Sequence, residues 1–417
     1  MTRSVSPSTI NGEVRAPASK SEMQRAAAAA LLAGRRRTRI LNPSYAEDGR
    51  AALRVIEGLG AEVTAGPSEV AVTGGLSPRT AELDCGESGL CLRLFSAVAG
   101  LWPGTLLLTG GPSLLTRPAD MIEAPMRALG AECRTNGGRP PVEVRGPLRG
   151  GRAVVDGAVS SQFLSGLLMA LPLAPRDSLL TVEDLKSRPY VDMTLELVRR
   201  LGIRVDNEGY RTFRVPGRQT YAARDIVVEG DWSGAAPLLV AGALAGRAAV
   251  TGLDLSSLQA DRRVLAALRA AGATISESGD RVTVTKSALK GFSFDATDCP
   301  DLLPPLVALA CHCEGTTRLA GASRLRHKES DRARALSEEF GRLGAGIHFT
   351  GDEIEVSGGP LEAGTAGARG DHRIAMALAA AAVAARGPVR IEGAEYVAKS
   401  YPAFFADLAR LGGRIDG

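Results

Sequence analysis

Six times along the chain a helix that is apolar on one face runs into a glycine and then into a strand. The signature reads Leu59-Gly60-Ala61-Glu62-Val63, Leu129-Gly130-Ala131-Glu132, Leu201-Gly202-Ile203-Arg204-Val205, Ala271-Gly272-Ala273-Thr274-Ile275, Leu343-Gly344-Ala345-Gly346-Ile347 and Leu411-Gly412-Gly413-Arg414-Ile415. Its glycines stand 70, 72, 70, 72 and 68 residues apart, a period that marks repeated structural units. The helices they close are predicted at 48–59, 119–129, 191–201, 261–270, 331–343 and 402–411. In the fourth, Val264, Leu265 and Leu268 share one face with arginines opposite, the pattern of a helix lying on a surface. Glycine directly after such a helix supplies a left-handed C-cap.

Upstream in every unit lies a second helix that is apolar nearly all round, at 25–33, 92–101, 162–171, 234–245, 302–311 and 374–385. A helix without a polar face must be covered on every side. Short strands at 38–41, 105–109, 178–182, 248–251, 316–319 and 389–391 link the two helices of each pair. One unit therefore reads strand, buried helix, strand, surface helix, strand, strand. The expected fold is α/β, with two similar domains of three βαβαββ units each around buried helices, an inside-out α/β barrel of six units in total. No low-complexity linker separates the halves, so short crossings near Glu229-Gly230-Asp231 are expected to join them. The expected division is residues 1–14 with 229–417 as a lower domain and 15–228 as an upper domain.

The 417-residue length accommodates this plan, and 45% apolar with 23% charged residues is globular in character. An aromatic share of 4% argues against bases stacked on rings, and a net charge of +4 without a basic run argues against nucleic-acid or membrane partners. That charge does suit a small anionic substrate. Residues 1–14 lack a signal-peptide core and no apolar run reaches the roughly 18 residues of a membrane span, which reads as a cytoplasmic protein. Cysteines at 85, 91, 133, 299, 311 and 313 show no CxxC spacing, so buried free thiols are expected rather than a disulfide framework. Cys311-His312-Cys313 is read as core packing, and no metal is expected.

Polar residues open the six buried helices: Ser19-Lys20-Ser21, Glu87-Ser88-Gly89, Ser160-Ser161-Gln162, Asp231-Trp232-Ser233, Asp298 with Asp301, and Asp371-His372-Arg373. Taken singly, each is a helix cap. Taken together, and with the two halves facing each other, six helix N-termini would point into one cleft and make it attractive to an anion. Arg117, Arg188, Lys328, Arg332 and Lys399 precede the surface helices, and Arg25 and Arg373 lie just inside buried ones, so cations collect on the same side.

With these residues in view, the chain resembles the 5-enolpyruvylshikimate-3-phosphate synthase family. The resemblance is carried, in order and spacing, by Lys20-Ser21-x-x-x-Arg25, Arg117-Pro118, Ser160-Ser161-Gln162-Phe163, Ser187-Arg188-Pro189-Tyr190, Lys328-Glu329-x-Asp331-Arg332, Asp371-His372-Arg373 and Lys399-x-x-Pro402. It covers essentially the whole chain. It implies transfer of the enolpyruvyl group of phosphoenolpyruvate to the 5-hydroxyl of shikimate 3-phosphate, with phosphate released, by a monomer that closes from an open form and uses no cofactor. It also implies a set of site residues. Lys20, Ser21, Arg25, Ser160, Ser161, Gln162, Ser187, Tyr190, Asp301 and Lys328 would bind shikimate 3-phosphate. Lys20, Gly89, Arg117, Gln162, Arg332, His372, Arg373 and Lys399 would bind phosphoenolpyruvate. Addition to an enol ether followed by elimination needs proton removal from the hydroxyl and proton traffic at the methylene carbon. Asp301 is the candidate base, and Glu329 and Lys20 are candidate proton carriers whose division of labour stays open.

One loop departs from the family pattern. Where Gly-Asn-Ser/Ala-Gly-Thr is usual, the chain reads Gly86-Glu87-Ser88-Gly89-Leu90. A carboxylate there weakens an anionic ligand, or the competing inhibitor glyphosate, unless Glu87 pairs with a cation or turns away. Alternatively, Glu87 caps its own helix. Arg324-Leu325-Arg326-His327 is a milder departure, read as surface charge variation. Rival readings are a sister transferase acting on UDP-N-acetylglucosamine, a paralogue acting on another phosphorylated cyclic alcohol, and a non-catalytic repeat protein. The first expects Lys-Asn near the start and a cysteine before the Arg-Pro. The chain has Lys20-Ser21, and Gly111-Pro112-Ser113-Leu114-Leu115-Thr116 contains no cysteine.

Overall fold

In the computed structural model, which describes residues 1–326 and 328–417, all six repeated glycines are left-handed, with φ of +111° at Gly60, +97° at Gly130, +84° at Gly202, +90° at Gly272, +86° at Gly344 and +106° at Gly412. Each helix closes in the same way. The residue after the glycine donates to the carbonyl five positions back, as from Ala61 to Ile56 at 2.9 Å, Ile203 to Val198 at 3.0 Å and Gly413 to Leu408 at 2.9 Å, which is the Schellman pattern. The helices ended this way are Glu47–Gly58, Glu123–Ala128, Arg188–Arg200, Val264–Ala270, Arg332–Gly341 and Phe404–Arg410. Two of them start later than the hydrophobic pattern suggests, because Asp120–Ile122 and Ala260–Arg263 wind their first turns as 3-10 helix.

The strands of the described residues form six four-stranded sheets. Three are local to one repeat. Glu82–Asp84 runs parallel to Thr105–Thr109, which pairs antiparallel with Arg139–Arg145, and Glu132–Asn136 closes the far edge. The same order holds for Arg152–Asp156, Ser178–Glu183, Thr212–Val215 and Asp206–Glu208, and for Ser293–Asp295, Thr316–Ala320, Glu353–Ser357 and Gly346–Thr350.

The other three sheets borrow a strand from far away in sequence. Ile10–Arg15, just ahead of the first buried helix, lies parallel to Gly246–Thr251. Ile226–Val227, just ahead of the fourth, lies parallel to Arg37–Leu41. Thr2–Ser6 fits antiparallel between Val389–Glu392 and Arg414–Asp416. The chain consequently divides into two compact units, Met1–Ser19 with Glu229–Gly417, and Lys20–Val228. The first crossing follows Ser19 rather than Val14, because Ala16 donates to the Thr251 carbonyl at 2.9 Å and Ser19 to the Glu229 carbonyl at 2.8 Å.

The buried helices are Lys20–Leu32, Gly89–Ala99, Gln162–Ala170, Trp232–Ala245, Leu303–Ala310 and His372–Ala382. Several begin a turn earlier than their apolar stretch, since the polar residues that open them are already helical. In the unit Lys20–Val228, Gly89–Ala99 packs along Gln162–Ala170 and Lys20–Leu32 touches both. The approach is close: a Cβ on Gly166 would sit 2.7 Å from the Leu94 carbonyl oxygen. In the other unit the three buried helices touch pairwise. All six cysteines are free and buried. Cys313 donates to the Leu309 carbonyl at 3.4 Å and His312 Nε2 lies 3.1 Å from the Ala381 carbonyl, both core contacts.

The repeated glycine yields a graded test. Gly202 has open space around it, so Gly202→Ala costs only the left-handed backbone, about 1 kcal/mol. A Cβ on Gly60 would lie 2.4 Å from the Ser77 carbonyl oxygen, so Gly60→Ala costs more, on the order of 2–4 kcal/mol. Urea denaturation of both variants checks the ranking, and equal losses would contradict it.

Candidate active site

The position of the polar residues follows from the sheet order. Two parallel strands end at the same edge, so the loops that leave them emerge together. The loops after Ser293–Asp295 and Thr316–Ala320 carry Asp301, and Lys328 with Glu329. Those after Gly364–Gly367 and Val389–Glu392 carry Asp371 with His372, and Lys399. In the other unit, Glu82–Asp84 and Thr105–Thr109 lead to Gly89 and Arg117, while Arg152–Asp156 and Ser178–Glu183 lead to Ser160 with Ser161, and Ser187. Lys20, Ser21 and Arg25 follow the exchanged strand Ile10–Arg15.

In the unit containing residues 229–417, the cluster is built on Arg332, which is 1% exposed. Its Nη1 lies 2.8 Å from Asp301 Oδ1, its Nε 2.7 Å from Asp371 Oδ2 and its Nη2 2.7 Å from Glu329 Oε2. Lys328 Nζ and Arg373 Nη2 reach the two oxygens of Asp301 at 3.3 and 3.5 Å, and Lys399 Nζ reaches Glu329 Oε1 at 3.4 Å. Four cations thus face three carboxylates. Asp371 also caps the helix His372–Ala382 by accepting from the Arg373 N–H, and His372 Nδ1 lies 3.6 Å from it. Burial pushes the Asp301 carboxyl up, but Lys328, Arg332 and Arg373 together outweigh this and hold it well below the usual carboxylate range.

In the unit Lys20–Val228, Lys20 Nζ pairs with the buried Asp48 at 3.0 Å. Gly89 lies against three polar side chains: a Cβ there would be 2.8 Å from Arg117 Nη1, 3.2 Å from Arg93 Nη1 and 3.6 Å from Gln162 Oε1. Arg93 holds Gln162 Oε1 at 2.7 Å and the Pro118 carbonyl at 2.7 Å. Ser160 Oγ accepts from the Gln162 N–H at 3.2 Å. The Ser160 and Ser187 loops are tied by backbone bonds from Gly157 to Glu183 at 2.8 Å and from Lys186 to Gly157 at 3.2 Å. Ser187 is left-handed at φ +55°, an unfavourable conformation for a residue with a side chain and one that concentrates at binding sites. Arg25 is withdrawn from the surface: it donates to Thr194 Oγ1 at 2.8 Å and to the Ser21 and Tyr190 carbonyls at 2.8 and 3.0 Å. Burial lowers its guanidinium to about 10.

Residues 5–408 match the family model of EPSP synthase, 3-phosphoshikimate 1-carboxyvinyltransferase. The chain belongs to this family. Curated relatives named 3-phosphoshikimate 1-carboxyvinyltransferase include that of Aeropyrum pernix, 41% identical over 99% of this chain and 96% of the relative. That of Methanoculleus marisnigri is 40% identical over 96% of each. EPSP synthase from Acinetobacter baumannii superposes with a TM-score of 0.84 over 100% of both chains at 27% identity. The enolpyruvyl transferase NikO from Streptomyces tendae shares the fold, with a TM-score of 0.80 at 20% identity over 100% of this chain and 98% of that one. Membership makes the chain a transferase of the shikimate pathway, acting on phosphoenolpyruvate and shikimate 3-phosphate, and sets this reading above the sister transferases and the non-catalytic repeat protein.

Within an EPSP synthase frame, the structure brings together Asp301, Lys328, Glu329, Arg332, His372, Arg373 and Lys399 in one unit, and Gly89, Arg117 and Gln162 in the other. Sequence reasoning passed over Arg93 and Asp48. Arg93 is the one charge in Gly89–Ala99, a helix buried throughout, and a lone arginine in such a helix was the available signal. Asp48, in the first turn of Glu47–Gly58, reads from sequence as an ordinary helix-start acid.

Glu87 bonds to the neighbouring turn. Its carboxylate accepts from the Leu114 N–H at 2.8 Å, the Ser113 N–H at 3.4 Å and the Ser113 hydroxyl. It therefore caps the short helix Pro112–Leu115, while Ser88 caps Gly89–Ala99 by accepting from Cys91 at 3.2 Å. Of the departure at 324–327, Arg326 is exposed, Arg324 donates to the Thr297 carbonyl at 2.9 Å and Leu325 is buried in the core. His327 lies outside the described residues. With its carboxylate bonded to the Ser113–Leu114 turn, Glu87→Asn should leave KM for phosphoenolpyruvate within about twofold and lower stability by about 1–2 kcal/mol. A tenfold tightening of phosphoenolpyruvate or glyphosate binding would contradict this.

Proposed function

We propose that the carboxylates and cations around Arg332 carry the chemistry of enolpyruvyl transfer, with Asp301 as the base on the 5-hydroxyl of shikimate 3-phosphate. The observation that carries this reading is the position of Asp301, the carboxylate that contacts Lys328, Arg332 and Arg373 at once. Its side chain keeps 23% exposure, whereas Asp371 has none. Asp301 takes the hydroxyl proton as the oxygen adds to C2 of phosphoenolpyruvate and C3 gains a proton. C3 then loses a proton as the C2–phosphate bond breaks and phosphate leaves. Glu329 and Lys20 serve the proton at C3 and the leaving phosphate between them.

Binding and base strength are coupled in this scheme. Arg332 presents the planar five-donor fork suited to carboxylates and phosphates, and its donors are engaged by internal carboxylates. An anionic substrate replaces one of them. When it displaces Asp301, that carboxylate loses a cation and its proton affinity rises at the moment a base is needed. Arg373 and Lys399, with Lys20, Gly89, Arg117 and Gln162 of the other unit, complete the proposed phosphoenolpyruvate set together with His372. Ser160, Ser161 and Ser187, with Lys20, Ser21, Gln162, Tyr190 and Lys328, make the proposed set for shikimate 3-phosphate. Arg25 supports Tyr190 through its carbonyl. No described helix is long and apolar enough to cross a membrane. The proposal includes a cytoplasmic monomer.

The assay is phosphate release from phosphoenolpyruvate with shikimate 3-phosphate, and with UDP-N-acetylglucosamine as the contrasting acceptor. Release only with the latter would overturn the reading. Asp301→Ala and Lys20→Met should each lower turnover by roughly 10²–10⁴-fold, and near-native turnover in both would displace the site.

The low proton affinity of Asp301 gives a second test. A depressed carboxylate contributes stability above its unfolded value and loses it as pH falls through the folded one. Lys328→Met removes a cation that lowers Asp301. It should therefore shift the acid limb of kcat/KM to higher pH, and an unmoved limb would contradict the assignment.

A further inference from the structure

A second buried carboxylate stands behind Arg373. Asp261, in the 3-10 turn Ala260–Arg263, is 1% exposed. Its Oδ2 accepts from the Ser233 hydroxyl, and its buried Oδ1 has no hydrogen-bond partner among the described residues. Ser233 belongs to the first turn of Trp232–Ala245, where Asp231 Oδ1 accepts from the Ser233 and Gly234 N–H groups at 2.8 and 3.1 Å. The Ser233 carbonyl in turn accepts from Arg373 Nη1 at 2.8 Å, and Arg373 Nη2 faces Asp301 at 3.5 Å. A continuous path therefore runs from Asp261 through Ser233 to the guanidinium assigned to phosphoenolpyruvate.

We propose that Asp261 is a positioning residue for Arg373, acting through Ser233, and that its charge state sets how tightly Arg373 holds an anionic substrate. The inference rests on the assignment of Arg373 to phosphoenolpyruvate. A buried carboxylate with an unpartnered oxygen is costly to ionise. Burial first, and Asp301 second, push its carboxyl up to about 7, with Asp231 acting in the same direction. Arg373 and the Ser233 hydroxyl oppose them. Cys299 also lies within electrostatic reach of Asp261, and Arg263 Nη1 caps its sulfur at 3.9 Å. As pH rises through neutrality, Asp261 gains a negative charge beside Arg373. That charge competes with the substrate for the same guanidinium, while Ser233 keeps the geometry.

The test compares KM for phosphoenolpyruvate in the native protein, Asp261→Asn, Ser233→Ala and Arg373→Gln between pH 5.5 and 9. Asn keeps an acceptor for Ser233 and mimics the neutral acid. The ratio of native to Asp261→Asn KM should rise from about one to on the order of tenfold, with a midpoint near 7 and little change in the kcat ratio. Ser233→Ala leaves the carboxyl in place and removes a group that lowers it, so the midpoint should move upward. This variant carries the test if Asp261→Asn does not fold. A ratio independent of pH, with KM still raised by Arg373→Gln, overturns the role of Asp261 and leaves the site assignment intact. An unchanged KM in Arg373→Gln overturns both.

Discussion

A helix with no polar face has nowhere to meet water, and this constraint organises the rest of the molecule. Trp232–Ala245 and its five counterparts carry little beyond alanine, leucine, valine and glycine along most of their length. Each must be enclosed, and a single sheet covers one side of a helix. Three such helices packed on one another, with a sheet outside each, satisfy all of them at once. The surface helices then have one job, to shield the outer strands, and their one-faced pattern reflects it.

The same constraint fixes where chemistry is possible. Flanks of an enclosed helix carry charge only where it is fully bonded, as at Arg25 and Arg93, whereas its N-terminal end favours anions through free N–H groups. The parallel pair in each sheet places the start of a buried helix beside the loop that precedes a surface helix. An acid on one loop therefore meets a base on its neighbour, as Asp301 meets Lys328 and Arg332, while Glu329 meets Lys399 of a different sheet. The resulting cluster holds one more cation than carboxylate. Removing Arg332 leaves the buried Asp371 without the guanidinium it pairs with, which is costlier than never having had the pair.

Much of this was legible in the sequence. The glycine period exposed the six repeats, and the all-round apolar stretches identified the enclosed helices, because both signals are local and depend on backbone geometry. Of the residues proposed for the site, Lys328, Arg332 and Arg373 stood out because they sit at helix starts that the pattern already marked, and Glu329 through the family resemblance. The strand exchange was legible only in outline, since residues 1–14 were assigned to the lower domain without the strand each would join. Ile10–Arg15 looks like any short strand, and nothing in its residues tells whether it pairs with a neighbour in sequence or with Gly246–Thr251. Asp261, Asp48 and Arg93 were missed for a related reason. A charged residue in a surface-helix turn or inside an apolar run is ambiguous until burial is known. Glu87 is a related case, where the residue type alone did not tell that its carboxylate bonds to the Ser113–Leu114 turn.

The borrowed strands also bear on how the protein is made. Thr2–Ser6 is synthesised long before its partners Val389–Glu392 and Arg414–Asp416. Ile10–Arg15 likewise waits for Gly246–Thr251. Domains generally assemble in the order of translation, but here Thr2–Ser6 and Ile10–Arg15 wait for partners made much later, and the sheet that holds Thr2–Ser6 closes only after Arg414–Asp416 has been made. The nascent protein carries its own first strands as an open template, and the charged and polar residues in them, Arg3, Ser4, Asn11 and Glu13, are of the kind that discourages an unpaired strand from pairing with another chain.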